Sequence, residues 1–294
     1  MASARGGLVM RARAPLPFEE APLAWSPARV GRLAVRALFD EAVLDRKPGL
    51  VGRGDSGAHE DMSLATFYRS IAALRSYFPA IAALGAAGAP WPVLQAQGQA
   101  AEEAMLRATG GVNTHRGAIF HLGLLCAAAG ALAARGHAPG TSAVCAYVRT
   151  AYGASVLAPR TRASHGGAVE ARYGARGARH EAAGGFRSVR RWSLPALRGA
   201  IARTQDRERA CLQALFTLVA HVSDTNLMWR GGPGGLAFAQ REARRFLDRG
   251  GVFAHDWRET ASSVHEAFVA RRLSPGGCAD LLAVTLFLHD LEGA

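Results

Sequence analysis

Gly110-Gly-Val-Asn-Thr-His-Arg-Gly-Ala-Ile-Phe120, continued by an apolar run from Ile119 to Ala134, is the stretch on which the fold turns. The two leading glycines release the backbone into unusual φ/ψ values or let a ligand come close. Asn113 or Thr114 can then cap the helix that follows. A helix N-terminus that carries an arginine and exposed N–H groups also suits a phosphate. The same residues therefore describe either a capped core helix or an anion site.

Working outward, the rest of the chain is punctuated as helices. Ser26-Pro27 is a helix start, with Pro at the first helical position. Leu33, Ala34, Ala37, Leu38 and Leu44 then recur at helical spacing to about Arg46, where Pro48-Gly49 stops the run. Ser63 caps a second helix through Phe67, Ile71, Leu74 and Tyr77-Phe78, bent or broken at Pro79. A third runs from about Pro92 to Thr109, with Glu102 or Glu103 able to face a site. The central run ends at Gly136. Further helices fall near 142–154, after Ser193-Leu-Pro195, and near 206–223, 234–249 and 256–272. Ser274-Pro275 repeats the Ser-Pro start before the last apolar helix, Leu281–Leu288. No segment alternates β-branched residues with period two. The expectation is an all-α protein: one compact domain of roughly ten helices over residues 26–294, behind a loose N-terminal arm, 1–25.

Composition narrows the function. Of 294 residues 49% are hydrophobic and 20% charged, which gives a sizeable core, yet only 7% are aromatic. Packing must rely on small residues and close helix approach. The net charge of +12 raises nucleic-acid binding. The basic residues are spread along the chain, however, and Lys47 is the only lysine among 35, so the bias looks like that of the coding genome. Such charge still attracts a polyanionic small molecule. Cys126, Cys145, Cys211 and Cys278 lack ligand spacing and sit in apolar helical patterns, as buried free thiols of a reducing cytosol do. No run approaches the ~20 uninterrupted apolar residues of a membrane span. Glu19 and Glu20 fit a transit peptide poorly. A cytoplasmic location, with no nucleic acid and no membrane, is expected.

P-loop, HExxH, GxSxG and aspartate-rich diphosphate motifs are missing. Gly52, Gly54 and Gly57 formally match GxGxxG, but a helix precedes them where that fingerprint needs a strand. What recurs is polar residues at glycine-rich helix boundaries: Lys47–Asp61, Asn113–Arg116, Arg176–Glu181, Asp224–Arg230 and Ser274–Asp280. Arg160, Arg162, His165, Arg172, Arg176, Arg179 and His180 form the densest cluster of anion donors, equally readable as a surface loop. Helix ends of this kind can converge on one cavity, and their chemistry suits a polyphosphate with a carboxylate-held Mg²⁺. A lone lysine in a chain that otherwise uses arginine suggests that a compact ammonium is wanted at position 47.

At these five blocks the chain resembles the triphosphoribosyl-dephospho-coenzyme A synthases, which serve citrate lyase and malonate decarboxylase. The matching stretches are Lys47-Pro-Gly-Leu-Val51 with Ser56-Gly-Ala-His-Glu-Asp-Met62; Thr109 to Phe120; Gly177-Ala-Arg-His-Glu-Ala182 with Gly185-Phe186; Asp224-Thr-Asn226 with Arg230-Gly-Gly232; and Ser274 to Asp280. They run in order from about Arg36 to Leu288. Glu60 and His180 depart from the family pattern, and Arg116 stands where lysine is common.

The resemblance implies that ATP and 3′-dephospho-CoA give 2′-(5″-triphosphoribosyl)-3′-dephospho-CoA with release of adenine. A separate transferase would then attach this product to an acyl carrier protein. Stand-alone length and an Ala/Arg-rich composition look more like the malonate decarboxylase branch. The candidates for acid–base work are His59, Asp61, His115 and Glu181. Those for the triphosphate and ribose are Lys47, Asn113, Thr114, Arg116, Arg179, Asn226, Arg230, Ser274, Gly276 and Gly277. Asp224 or Asp280 is the candidate for Mg²⁺. A homodimer stays open. Two rivals stand beside this: a basic nucleic-acid-binding helical protein, and a helical ADP-ribosyl hydrolase-like enzyme that uses water as acceptor.

Overall fold

The computed structural model describes residues 25–159 and 165–293. Among them are fourteen α segments and no strand: α1 (Pro27–Val43), α2 (Leu64–Leu74), α3 (Tyr77–Ala86), α4 (Trp91–Ala108), α5 (Arg116–Ala133), α6 (Thr141–Tyr147), α7 (Gly153–Leu157), α8 (His165–Tyr173), α9 (Ala178–Ala183), α10 (Leu194–Thr204), α11 (Arg207–His221), α12 (Thr225–Asp248), α13 (Trp257–Val269) and α14 (Gly276–Glu292). The fold is all-α as expected, with short pieces such as α7 and α9 raising the number of segments. Residues 1–24 of the expected arm lie outside the described residues, as do Arg160 and Arg162. Trp25 packs against the core under the Arg29 guanidinium, 4.5 Å from its ring centroid.

Helices that are apolar on every face belong in the interior, and α5, α11 and α14 are buried along nearly their whole length. One half of the molecule gathers α1, α3, α4 and α6 around α5; the other gathers α10 and α12 around α11. α14 packs against α5, α11 and α1, and so joins the halves. By length and composition α5 could cross a membrane, but 78% of it is enclosed by protein. The scarcity of aromatics has its use between α3 and α5. A Cβ on Gly85 would overlap the Ala127 carbonyl, and one on Gly130 the Ala82 carbonyl, so these helices meet backbone to backbone.

Several boundaries differ from the expected ones, each for a local reason. α1 ends at Val43, before Arg46, because side chains take over its last carbonyls: Lys47 Nζ donates to Glu41 O (2.7 Å) and Ala42 O (3.4 Å), and Arg53 Nε to Val43 O (2.7 Å). Pro79 does not break a helix. It sits in the first turn of α3, where its missing N–H costs nothing. The basic region after residue 164, readable as a surface loop, instead forms α8 and α9. Helix also begins earlier than residue 234, at Thr225, and is interrupted at Gly232 (φ 61°) before Pro233 restarts it.

Asp224 fixes that early start. Its Oδ1 accepts the N–H groups of Asn226 (2.7 Å) and Leu227 (3.1 Å), and its Oδ2 accepts the N–H of Cys278 (2.8 Å). One buried carboxylate therefore caps α12 and also binds the first turn of α14. Ser274, expected to cap α14, does not; its hydroxyl bonds His59 instead.

Three variants carry stability expectations. Gly85→Ala should lower the unfolding free energy by about 1–3 kcal/mol, the usual cost of overpacking. Gly199→Ala, on the exposed side of α10 with nothing within 4 Å, should be neutral or stabilising by up to about 1 kcal/mol in the same urea titration. Asp224→Asn places an NH₂ against backbone donors and should cost about 1–3 kcal/mol. Were Asp224 chiefly a ligand-binding group, that variant would unfold like the wild type and lose only activity.

Candidate active site

The N-termini of α5, α12 and α14, the C-terminal end of α1, and α8 and α9 surround a cavity of about 1490 Å³. All sixteen residues singled out from the sequence line it. The five blocks therefore do converge, and what the structure changes is what each side chain is engaged with.

The floor is a knot of buried charge. Lys47 Nζ also pairs with Glu41 Oε1 at 2.7 Å, so its three donors have three acceptors inside the protein and no N–H left for a phosphate. Asp280 lies against the start of α5. Its carboxylate accepts the N–H of Ala118, and only the lack of a Cβ on Gly117 lets its Oδ2 sit there. The amides expected to cradle a phosphate thus face a carboxylate of the protein itself. Burial, then Glu41 and Asp224, push the Asp280 carboxyl well above the usual carboxylate range; burial likewise raises Asp224. Close approach explains the glycines at the head of α14: a Cβ on Gly276 would come to 2.9 Å from Asn226 Nδ2, and one on Gly277 to 3.0 Å from Asp224 Oδ2.

His115 rises from this floor. Its Nδ1 shares a 2.6 Å hydrogen bond with Ser70 Oγ, while its Nε2 is buried without a partner. Burial and then Lys47 lower its pKa to about 3, so it is neutral at pH 7. Nearby, Asn113 Oδ1 accepts the Arg116 N–H at 3.1 Å and caps α5. Thr114 does not cap; its Oγ1 is buried and unpartnered. Gly110 and Gly111 take φ of 68° and 90°, which is why the turn into α5 needs glycine. Arg116 pairs with Glu102 at 3.2 Å, so Glu102 faces the site while Glu103 is exposed beside Arg107.

On the wall formed by α9, Arg179 donates to the carbonyls of Val156 (2.7 Å) and Ala158. Glu181 accepts from Ser188 N (2.7 Å) and Ser188 Oγ (2.9 Å), and burial raises its carboxyl above the usual range. His180, one of the departures from the family pattern, lies 3.6 Å from Glu170.

At the rim, Arg230 Nη1 donates to Ala58 O (3.0 Å) and Arg272 O (3.1 Å), and Nη2 to His59 Nδ1 (3.1 Å). A guanidinium only donates, so His59 Nδ1 is an acceptor and the ring's proton is on Nε2, donated to Ser274 Oγ at 2.8 Å. Burial and then Arg230 lower its pKa. Asp61 is exposed, 3.6 Å from His59. The other departure, Glu60, points to solvent beside Arg272 and is not part of the cavity.

His121 was not anticipated, since it sits inside the apolar run. It is buried on α5, with Nε2 3.2 Å from Ala178 O. That carbonyl fixes the proton on Nε2 and leaves Nδ1 a bare acceptor without a partner; burial lowers its pKa to about 4. Six buried side-chain polar atoms among the described residues have no hydrogen-bond partner; Arg116 Nε, His180 Nδ1 and Arg209 Nε still face a carboxylate, and the three that face none (Thr114 Oγ1, His115 Nε2 and His121 Nδ1) all belong to residues that line this cavity. Buried polar atoms are normally satisfied, so their collection in one place is the mark of a ligand site.

No solved structure matches the chain. A protein of Klebsiella pneumoniae named "2-(5''-triphosphoribosyl)-3'-dephosphocoenzyme-A synthase" is 44% identical, matching over 90% of this chain and 94% of its own length. One of the same name from Pectobacterium atrosepticum is 42% identical, over 88% of each. A third, from Acinetobacter calcoaceticus and named "Probable 2-(5''-triphosphoribosyl)-3'-dephosphocoenzyme-A synthase", is 40% identical over 90% of this chain and 91% of its own. The family described as CitG, ATP:dephospho-CoA triphosphoribosyl transferase, matches residues 27–294, which takes in every wall of the cavity. This chain belongs to that family.

Proposed function

We propose that the cavity binds ATP and 3′-dephospho-CoA together, joins the 2′-hydroxyl of dephospho-CoA to C1′ of the ATP ribose, and releases adenine. The carrying observation is the gathering of unpartnered buried polar atoms in one cavity. Its volume, about 1490 Å³, exceeds the ~300–1,000 Å³ of a single drug-sized ligand and suits two nucleotides. Family membership gives the chemistry and sets aside the nucleic-acid and hydrolase alternatives.

Each step then asks something specific of the chain. Breaking the glycosidic bond develops positive charge on the ribose, which a fixed carboxylate stabilises. Leaving adenine needs a proton. Glu181 is suited to give it, because its carboxyl is held above the usual range. The hydroxyl proton goes back to the Glu181 carboxylate that protonating adenine leaves behind, which balances the transfer. His115 is too weakly basic to take it, but its free Nε2 can hold the attacking hydroxyl in line. His59 has both nitrogens engaged, and we assign it to joining the rim. Arg116 and Arg176 face the cavity, and Arg230 keeps donors beyond its three bonds; these supply charge for the triphosphate. Lys47 and Arg179 act indirectly, by holding the walls.

Mg²⁺ fits one of its two candidate ligands. Asp224 is fully engaged with backbone donors. Asp280 is not offset by any nearby cation among its electrostatic neighbours and sits in the field of Glu41 and Asp224. No trio of His, Cys, Asp or Glu among the described residues could hold a metal alone, which suits an ion that completes its shell with water and phosphate oxygens. Bound there, Mg²⁺ would neutralise triphosphate charge. We further propose that the chain works in the cytoplasm and that a separate transferase passes its product to an acyl carrier protein. The Ala/Arg-rich composition favours the malonate decarboxylase branch.

Incubation with Mg-ATP and dephospho-CoA should yield adenine, followed by chromatography, and none when dephospho-CoA is left out. AMP or ADP without adenine would reject glycosyl transfer. Glu181→Gln should reduce kcat for adenine release by about 10²–10⁴-fold, the worth of a general acid, with an unchanged melting curve. Wild-type turnover in that variant would remove Glu181 from the mechanism.

A further inference from the structure

Trp229 is half exposed (50%), the highest value among the exposed large hydrophobic side chains of the described residues, and none of the other four there lines the cavity. Exposed aromatic area at a cavity mouth is costly in water unless something covers it. One face is covered by His165, whose ring lies parallel (11°) with centroids 4.2 Å apart. That spacing leaves no room for a third ring between them.

The two partners are held very differently. Trp229 stands in the first turns of α12, which Asp224 anchors from within the core. His165 is the first residue of α8 and is itself exposed. α8 is attached through a small separate apolar cluster, Val169, Ala175 and Met228, apart from the main core. An element with so few buried apolar contacts opens at low cost. The Trp ring is thus a fixed platform and the imidazole a replaceable cover.

We propose that Trp229 is the stacking platform for the adenine ring of a substrate nucleotide, which takes the place of His165. The proposal rests on the reaction proposed above, in which both substrates carry adenine. A purine matches the indole in shape and π-face, and stacking tolerates any orientation of the phosphates that trail toward Arg230.

Kinetics of adenine release by the full chain distinguish the two adenines. Each substrate is varied at saturating levels of the other in the wild type, Trp229→Leu and Trp229→Phe. Trp229→Leu should raise KM for one substrate by about 5- to 150-fold, the range of a lost base–aromatic stack. The other KM should be unchanged and kcat within about threefold. Which KM moves names the nucleotide, and Trp229→Phe should restore most of it. In a separate binding arm, AMP should quench tryptophan fluorescence in the wild type more than in Trp229→Phe, and inorganic tripolyphosphate should not. Unchanged KM values in Trp229→Leu, or a joint fall of kcat and melting temperature that Phe does not rescue, would overturn the platform. A wild type that releases no adenine but shows the AMP quench would sink the proposed reaction and leave the platform standing.

Discussion

One carboxylate holds the site together. Asp224 accepts three backbone N–H groups from two helices, α12 and α14, whose partners lie two, three and 54 residues away in the chain. A helix start leaves its first N–H groups unsatisfied, and here water has been excluded from them. A charged acceptor is worth about 1.5–3 kcal/mol per bond, and these bonds oppose, without outweighing, the burial that raises its pKa. Because α14 also packs on α1, α5 and α11, fixing its N-terminus sets how the two halves of the molecule face each other. The cavity is the gap between them.

A second constraint follows from the charge that collects there. Glu41, Asp224 and Asp280 lie in one another's field near the heads of α5 and α14, and Lys47 is the cation paired with Glu41. Its pocket takes an ammonium with three short-range acceptors and would not take the wide fork of an arginine. In a chain with 34 other basic residues, all arginine, that geometry accounts for the single lysine. The compact ammonium was indeed wanted at position 47, but for the protein's own carbonyls and carboxylate.

What was legible in the sequence was whatever depends on near neighbours. Ser26 accepts from Arg29 N and Asp206 from Arg209 N, as cap-and-helix spacing requires. Polar residues at glycine-rich helix ends announced a shared cavity, and the five blocks meet. Partners distant in the chain were not legible. Ser274 looks like a cap until His59, 215 residues away, takes its hydroxyl. Asp224 reads as a carboxylate free for a metal, and its bond to the Cys278 N–H, 54 residues away, is invisible from its neighbours. Pro79 reads as a breaker because sequence alone does not say that α3 starts just before it. His121 was hidden by its apolar neighbours; only the carbonyl of Ala178 and the bare nitrogen opposite reveal it.

These engagements also change what the site's charges can do. If Lys47, Arg179, Arg230 and His59 were free, the cavity would be a generic sink for phosphate. Most of their donors are instead committed to carbonyls and to one another, so the positive charge remains while few hydrogen bonds are left unassigned. Charge attracts any polyphosphate; unassigned hydrogen bonds choose among them. The buried groups that remain with no partner at all, on Thr114, His115 and His121, are few and shielded from water. A site built this way gains little from holding the triphosphate more tightly in the ground state. It gains more from bringing a hydroxyl and a glycosidic carbon into line, which is where a transfer to dephospho-CoA must beat transfer to water.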